Sequence, residues 1–346
     1  MVTSLRLQNF RSYSDKLFTF ASNVNVIVGP NASGKTNILE AILFSQRGTS
    51  YRAKDIELIS FNKEWARIDC QPDRIIKLKK DSNPTKEFEI NGQIYKRLPS
   101  SVKLPVVLFE PNHLYLLNGS PDGRRTYLDS FIDQIDGFYG PMLRKYQRAL
   151  AQRNSLLKSP QRPSLNQLFP WNIRLSQLAG QLVKARQQLI DTINQHLPSI
   201  YNSLSLDKVK TELVYQPQLA ITNYESTYLK KLEAELNVDL RTGFTTYGPH
   251  RDDFSFLFNN HPSQTYASRG ELRTAMLALK VSELEIIQKI RNEKPIILFD
   301  DVYSELDKNR RQALTGYLKT NQSFITTTDA DVVKRLAKTS QFIRLG

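Results

Sequence analysis

The chain has little cysteine and histidine and no long apolar run. Cys70 is its only cysteine, so no disulfide can form within one chain. Four scattered histidines leave no Cys/His cluster at zinc-ligand spacing. No stretch approaches the roughly 20 apolar residues that a membrane span requires, and the N-terminus lacks the basic, then apolar pattern of a signal peptide. We therefore expect a cytoplasmic protein with no membrane partner.

Acidic residues are scarce relative to basic ones. The sequence has 48 Lys and Arg against 34 Asp and Glu, a formal charge of +14, and this excess attracts polyanions such as nucleic acids. No Asp or Glu lies between Gly137 and Ile190, whereas nine basic residues do: Arg144, Lys145, Arg148, Arg153, Lys158, Arg162, Arg174, Lys184 and Arg186. We expect DNA contacts here, with Arg144, Lys145, Arg148 and Arg153 as the candidates; a solvated helical surface or a docking face for an acidic partner are the alternatives.

Hydrophobic patterning divides the chain into three segments. Alternating and buried β-strand patterns dominate residues 1–118, including a flap whose last strand ends at the turn Asn91-Gly92. Residues 119–244 have helical periodicity, with Pro160, Pro163 and Pro170 marking a turn between two short arms. The β/α pattern returns over 245–346, with a helix over about 269–291 and strands at 296–299 and 323–327. The sequence thus predicts an α/β fold in which one β/α lobe, 1–118 plus 245–346, is interrupted by a helical arm lobe, 119–244.

A glycine-rich motif follows the apolar strand ending at Val28. It fits G-x-x-x-x-G-K-[ST] and consists of Gly29, Pro30, Asn31, Ala32, Ser33, Gly34, Lys35 and Thr36, with Asn37 next in the helix. Between a strand and a helix, such a loop wraps phosphates with its amides. We expect ATP here, with Lys35 as a catalytic contact to the β- and γ-phosphates and Thr36 as a ligand to Mg²⁺.

Two acids end the buried strand Ile296–Phe299. Asp300 is expected to bind Mg²⁺ through water, and Asp301 to orient or deprotonate the attacking water as a catalytic base. Acids at strand ends also cap turns, which is the structural alternative.

Ser268 immediately precedes the long helix predicted over about 269–291, and Glu271 lies three residues after Ser268. This is a capping box, which explains the local sequence without any ligand. The order of three segments also matches that of ABC ATPases. The signature, Walker B and D-loop segments of those proteins correspond in chain order to Ser268-Arg269-Gly270, the strand ending in Asp300-Asp301, and Ser304 to Asp307.

Within that superfamily the chain resembles the RecF family of bacterial recombinational repair ATPases. Beyond the segments above, the matching stretches are Leu7–Tyr13, Thr36–Ile42, Gly48–Arg52, Gly119–Pro121 with Arg124 and Arg125, Gln152–Asn154 and Tyr247–Asp253. The sequence departs from the family pattern at Asn112-His113, where an acidic pair is expected, and at Glu271, where glutamine is common.

The resemblance implies a weak, DNA-stimulated ATPase that forms a homodimer with ATP. Ser268, Arg269, Gly270 and Asp307 would contact the nucleotide bound by the other subunit. The implied ligand is DNA, single-stranded and duplex, at gaps or junctions, and the implied partners are RecO and RecR.

Several alternatives remain open at this point. Arg11 is expected at the nucleotide and Arg52 at DNA, although Phe10 and Tyr51 beside them suit core anchors equally. His250 to Asp253 suggest either catalysis or a buried ion-pair network, and Trp65 and Trp171 are interpreted as packing residues. An ABC subunit serving a transporter is the second functional hypothesis, and a P-loop nuclease, for which no further acidic cluster is evident, is the third.

Overall fold

The computed structural model of the chain describes residues 1–81, 84–161, 163–205, 208–303, 306–328 and 340–345. Of the expected site segments, Ser304 and Glu305 lie outside these ranges, as does Arg162 of the basic stretch.

Strands and helices are intermixed along the described residues. In chain order they are β1 (Ser4–Phe10), β2 (Tyr13–Thr19), β3 (Val24–Val28), α1 (Lys35–Arg47), β4 (Trp65–Gln71), β5 (Arg74–Lys79), β6 (Thr85–Ile90), β7 (Gln93–Tyr95), β8 (Val106–Phe109), α2 (Leu114–Asn118), α3 (Pro121–Ile135), α4 (Tyr139–Leu157), α5 (Leu165–Asn194), α6 (Leu197–Leu204), β9 (Thr211–Gln216), α7 (Tyr224–Ala234), α8 (Leu236–Thr242), β10 (Asp253–Phe258), β11 (His261–Pro262), α9 (Ser263–Tyr266), α10 (Arg269–Arg291), β12 (Ile296–Asp300), α11 (Lys308–Thr320), β13 (Ser323–Thr327) and β14 (Ser340–Arg344). The mixture matches the predicted α/β class.

The chain forms two compact units. The first consists of Met1–His113 and Glu283–Gly346, and the second of Leu114–Ser282. The second unit is therefore inserted in the sequence of the first. The sequence pattern predicts one lobe from residues 1–118 and 245–346. In the structure, residues 245–282 belong instead to the second unit, because β10 pairs with β9 there.

The first unit contains a five-stranded parallel sheet in the order β14-β3-β13-β12-β8. Strand β12 is buried at all five positions, as expected for a strand covered on both faces. In parallel strands the carboxyl ends meet at one edge, and the register sets Asp300 beside Thr326 there. The sequence motif after β3 and the acids after β12 therefore share one sheet edge.

An antiparallel sheet completes the first unit, in the order β2-β1-β4-β5-β6-β7. The predicted flap strands are β4, β5 and β6, and Asn91 and Gly92 form the expected hairpin turn with φ values of 49° and 77°. Alternate residues of β4, such as Ala66 and Ile68, are buried against α1, whereas their neighbours face outward.

The second unit is mainly helical, with the small sheet β11-β10-β9. Helices α4 and α5 pack together, and α5 buries Leu175, Leu178 and Leu182 along one face, as its periodicity predicts. The expectation that Pro170 interrupts the arm is wrong, since this residue lies inside α5. Pro170 is the sixth residue of α5, so its missing N–H costs the helix one hydrogen bond, to the carbonyl of Asn166, near the helix start. Among the described helices, none has both the length and the apolar character of a membrane span.

Candidate nucleotide site

The loop between β3 and α1 is shaped by two close approaches. At Gly34 the φ angle is 96°, and a Cβ atom there would lie 2.7 Å from the Tyr13 hydroxyl oxygen. At Gly29 a Cβ atom would lie 2.6 Å from Ser33 Oγ. Ala32 is also left-handed, with φ of 65°. The glycines at both ends of the motif are therefore required by geometry, while Pro30, Asn31 and Ala32 are exposed.

The loop surrounds a buried ammonium group and an unpartnered hydroxyl. Lys35 is 5% exposed, and its Nζ donates to the carbonyl oxygens of Gly29 and Pro30 at 2.9 Å each. Ser33 Oγ is buried and has no hydrogen-bond partner. Buried polar atoms normally have partners. A positive charge and an orphaned hydroxyl inside a concave backbone fit a phosphate.

The two expected Mg²⁺ ligands are in contact. Thr36 Oγ1 donates to Asp300 Oδ1 at 2.8 Å, from the first turn of α1 to the end of β12. Asp300 is 8% exposed, and the hydroxyls of Tyr51 and Thr326 also donate to its carboxylate. Among the described residues no cation lies within ion-pair distance of its carboxylate. A buried carboxylate without a cation is costly, so Thr36 and Asp300 fit a divalent cation bound together with phosphate.

Asp301 has a left-handed backbone, with φ of 56°. Its amide donates to Thr326 Oγ1 at 2.9 Å, which holds this conformation. Non-glycine residues in this region cost about 1–3 kcal/mol and cluster at functional sites. The conformation directs the chain away from β12 immediately after the two acids.

Arg11 and Arg52 share one buried carboxylate. Glu40 of α1 is fully buried; its oxygens accept from Arg11 Nε at 2.9 Å and from Arg52 Nη2 at 3.1 Å. Burial alone would raise the pKa of Glu40, but hydrogen bonds from Arg11, Arg52 and Ser50 outweigh burial and lower it. Arg52 also bonds Asn37 of α1. Both arginines thus lie around α1, and whether either contacts nucleotide or DNA remains a prediction.

Two residues at Asp300 were missed from the sequence. Tyr51 donates its hydroxyl to Asp300 Oδ2 at 3.0 Å, and Thr326 donates to Oδ1 at 3.0 Å. Burial raises the pKa of Tyr51 well above its ordinary value, so the hydroxyl keeps its proton. Thr326 lies one residue before the end of β13 and pairs in register with Asp300, so the order of the strands could have indicated it. Tyr51 lies in the family-matching stretch Gly48–Arg52, but the sequence suggested for it only the role of a core anchor.

The expected signature segment forms a capping box. Ser268 N donates to Glu271 Oε2 at 2.7 Å, and Ser268 Oγ accepts from Glu271 N at 3.3 Å. Ser268, Arg269 and Gly270 are exposed in the second unit. Asp307 caps α11 by accepting from Arg310 N at 2.9 Å. Exposure leaves these residues accessible to another molecule.

The basic stretch divides into surface and interior residues. Lys145 and Arg148 are exposed on α4, and Arg144 is half-buried. Arg153 is fully buried, and its guanidinium bonds Asp239 at 2.7 Å and Asn172 at 2.7 Å. The prediction that Arg153 contacts DNA is therefore wrong, because a phosphate cannot reach it.

The segment His250 to Asp253 forms the predicted network. Asp253 receives two hydrogen bonds from Arg124, at 2.6 and 2.8 Å, and buried Asp252 accepts from Tyr215 at 2.6 Å. Burial raises the pKa of Asp252. These contacts connect α3 and β9 to β10, which is a structural role. In the part of the chain that the structure describes, no three His, Cys, Asp or Glu side chains form a metal site by themselves.

Comparison with known proteins places these features in a family. Residues 1–344 match the family described as the RecF/RecN/SMC N terminal domain. A protein of Ruminiclostridium cellulolyticum named DNA replication and repair protein RecF is 34% identical over 347 residues, covering 96% of this chain and 93% of that protein. The protein of the same name from Heliobacterium modesticaldum is 35% identical, covering 94% and 92%.

Solved structures agree with the sequence matches. One, described as the recombination mediator protein RecF with ATP in the RecFOR pathway, is similar with a TM-score of 0.86 and 31% identity, covering 95% of this chain and 92% of that chain. A Smc head domain from Pyrococcus furiosus, at 18% identity and a TM-score of 0.53, shares the fold alone over 100% of this chain and 94% of that one.

Proposed function

The chain belongs to the RecF family of SMC-like, ABC-type ATPases, and from that premise we propose that it is an ATP-dependent DNA-binding protein of recombinational repair. The observation that carries the proposal is the contact between Thr36 Oγ1 and Asp300 Oδ1, at 2.8 Å, beside the phosphate loop. It unites the two motifs of a nucleotide site in a chain that matches repair proteins over almost its whole length.

Each residue of the site has a role that follows from its position. The backbone of residues 29–34 and Lys35 would bind the triphosphate, and Thr36 with Asp300 would bind Mg²⁺. Bound Mg²⁺ neutralises charge on the β- and γ-phosphates. Asp301 would orient and accept a proton from water. We propose slow, DNA-stimulated hydrolysis that resets the protein.

Dimerisation would complete the site. The exposed Ser268, Arg269 and Gly270 at the start of α10, and exposed Asp307 at the start of α11, would contact the triphosphate held by a second copy. A helix start has spare N–H donors that suit an anion. Ser268 can serve as cap and ligand together, since its capping bond uses the oxygen only as an acceptor.

DNA is the proposed ligand of the dimer, at gaps or single-strand/double-strand junctions. Support comes from the excess positive charge and from exposed Lys145 and Arg148, with half-buried Arg144. The solved relative's description as a recombination mediator in the RecFOR pathway supports RecO and RecR as partners and recombinase loading as the outcome.

Sedimentation with and without ATP tests the site. We expect Lys35→Ala to abolish ATP binding, and Ser268→Asp to bind ATP but remain monomeric. Asp is as good an N-cap as Ser, so helix α10 persists while the added charge repels phosphate. Ser199→Asp, which adds the same charge at an exposed serine of the same unit, is the matched control. Normal dimerisation of Ser268→Asp with ATP would contradict the shared site.

Binding to gapped DNA tests the ligand. The affinity of wild type should fall with salt, with a slope of about −0.9 per duplex phosphate contacted. No salt-dependent DNA binding by the wild type, with or without ATP, would refute the proposed function.

A further inference from the structure

Two aromatic rings protrude from the first unit at positions that the packing of the unit does not require. Phe61 is 92% exposed and Trp65 is 45% exposed, so the interpretation of Trp65 as a packing residue is wrong. We propose that Phe61 and Trp65 form a stacking surface for the bases of single-stranded nucleic acid. The proposal deepens the function proposed above and rests on it, because it assigns a site for the single-stranded part of the ligand.

The backbone holds both rings outward. Trp65 begins β4, whose next residue, Ala66, is buried, so alternation along the strand directs Trp65 to the opposite face. Phe61 lies in a tight turn closed by the Lys63 amide and the Ser60 carbonyl at 3.1 Å, with Asn62 left-handed at φ 62°. Four residues of chain reach at most about 13 Å. The Cα atoms that carry the two rings are thus within the span of a few nucleotides.

The turn is connected to the nucleotide site by direct contacts. Ser60 Oγ donates to the carbonyl oxygen of Arg11 at 2.6 Å, and the Ser60 amide donates to that of Asn9 at 2.8 Å. Arg11 in turn bonds Glu40 of α1, the helix that begins with Lys35. A nucleic-acid strand stacked on Phe61 would therefore be linked to α1, the helix of the phosphate site, by two hydrogen bonds: Ser60 to Arg11, and Arg11 to Glu40.

The residues around the rings suit nucleic acid better than a protein. Lys63, Lys79 and Lys80 are exposed and make no ion pair with any described residue, and Lys79 pairs in register with Trp65. Aromatic anchors of protein interfaces lie in packed apolar patches, whereas the neighbours here are charged, and the three lysines outnumber the two exposed acids, Glu64 and Asp81. Aromatic faces with flanking lysines are the usual elements of single-strand binding.

Base stacking predicts a dependence on bases at constant charge. We would measure binding of the full chain to fluorescent oligo(dT) and to an abasic strand of equal length. Each stacked base contributes about 5- to 150-fold in affinity. We expect Phe61→Ala/Trp65→Ala to lose at least about tenfold for oligo(dT) and to keep its affinity for the abasic strand. Phe138→Ala removes a ring that is 87% exposed in the second unit and is the matched control.

Tryptophan fluorescence gives a direct readout. Trp65 and Trp171 are the only tryptophans, so Trp171→Phe leaves Trp65 as the sole emitter. Oligo(dT) should quench its emission, and the abasic strand should not. Equal oligo(dT) affinity of the double alanine variant and wild type would overturn the proposal, as would altered self-association with unchanged oligo(dT) binding.

The two proposals fail in different ways. If wild type bound no DNA, the proposed function would fail. If wild type bound oligo(dT) and duplex DNA but the double variant did so equally well, only the stacking surface would fail. Phe61→Tyr/Trp65→Phe retains both rings and should retain binding, which separates stacking from any effect on the fold.

Discussion

Two buried carboxylates, one in each unit, are satisfied in different ways. Asp239 in the second unit is 1% exposed; its Oδ2 bonds Arg153 at 2.7 Å, and its Oδ1 accepts from Thr246 N at 3.0 Å. Asp300 in the first unit is 8% exposed and is contacted by the hydroxyls of Thr36, Tyr51 and Thr326. The first carboxylate forms an ion pair within the fold, whereas the hydrogen-bond partners of the second are uncharged hydroxyls, and Arg52 acts on it only from beyond ion-pair distance.

The charge of its partners distinguishes a buried carboxylate with a structural role from one with a functional role. Removing one partner of a buried pair leaves an uncompensated ion, which is strongly destabilising. A carboxylate held by hydroxyls keeps its orientation while its charge remains available to an incoming cation. Burial alone would not distinguish Asp239 from Asp300; the charge of the partners does.

The largest expected effect is on the structural pair. We expect Arg153→Met to lower the free energy of unfolding of the second unit by about 3–5 kcal/mol, because Asp239 would remain buried without its cation. Urea denaturation followed by Trp171 fluorescence in a Trp65→Phe background reports this unit. Lys145→Met, at an exposed residue of the same helix, should change stability by less than about 0.5 kcal/mol. Equal effects of the two variants would contradict the assignment of Arg153 to the interior.

A smaller effect should come from His250 in the same unit. Its Nε2 donates to the Thr245 carbonyl at 3.0 Å, and its Nδ1 lies 2.7 Å from the Tyr146 hydroxyl, from which a neutral imidazole accepts. Burial lowers the pKa of His250 to about 4, against about 6.5 when unfolded. The unfolded state therefore takes up the proton first as pH falls.

The stability contributed by neutral His250 should be complete above pH 6.5 and be lost as pH falls toward 4, by up to about 3 kcal/mol. His250→Gln can donate and accept in the same places without titrating. Unfolding free energies of wild type and variant, measured from pH 7.5 to 4.5, should be similar at pH 7.5 and should diverge toward low pH, because only the wild type loses stability. A constant difference across that range would show that His250 is not held neutral.

Local pattern was sufficient for most of the fold. The helix at 269–291 and the strand at 323–327 were predicted with the bounds observed. Ser268 with Glu271 marks the helix start, and the aromatic and β-branched residues Phe324, Ile325 and Thr326 favour a strand. The phosphate loop was predictable for the same reason, since its glycines are local requirements.

The misses depend on contacts between distant parts of the chain. Arg153 and Asp239 are 86 residues apart. The basic stretch contains no acidic residue of its own, but the fold brings Asp239 into contact with it. Tyr51 and Asp300 are 249 apart, and no periodicity connects them. Trp65 was misjudged for the opposite reason, because an aromatic residue in a strand pattern favours packing unless strand alternation directs it outward.

The smallest expected effect, on the hydroxyl that orients Asp300, would sharpen the contrast between the two carboxylates. We expect Tyr51→Phe to weaken Mg²⁺ binding in the presence of ATP by about tenfold, since partners that orient a metal ligand typically contribute that much. ATP binding without Mg²⁺ should not change, because Tyr51 contacts the carboxylate and not the phosphate loop. Tyr317→Phe, which removes a hydroxyl bonded to Glu285 in the same unit, is the matched control. Mg²⁺ titrations monitored with a fluorescent ATP analogue would measure both variants. If Tyr51→Phe instead lowered the unfolding free energy by several kcal/mol and left Mg²⁺ affinity unchanged, Asp300 would be a structural carboxylate like Asp239, and the distinction between hydroxyl-held and arginine-held charge would fail.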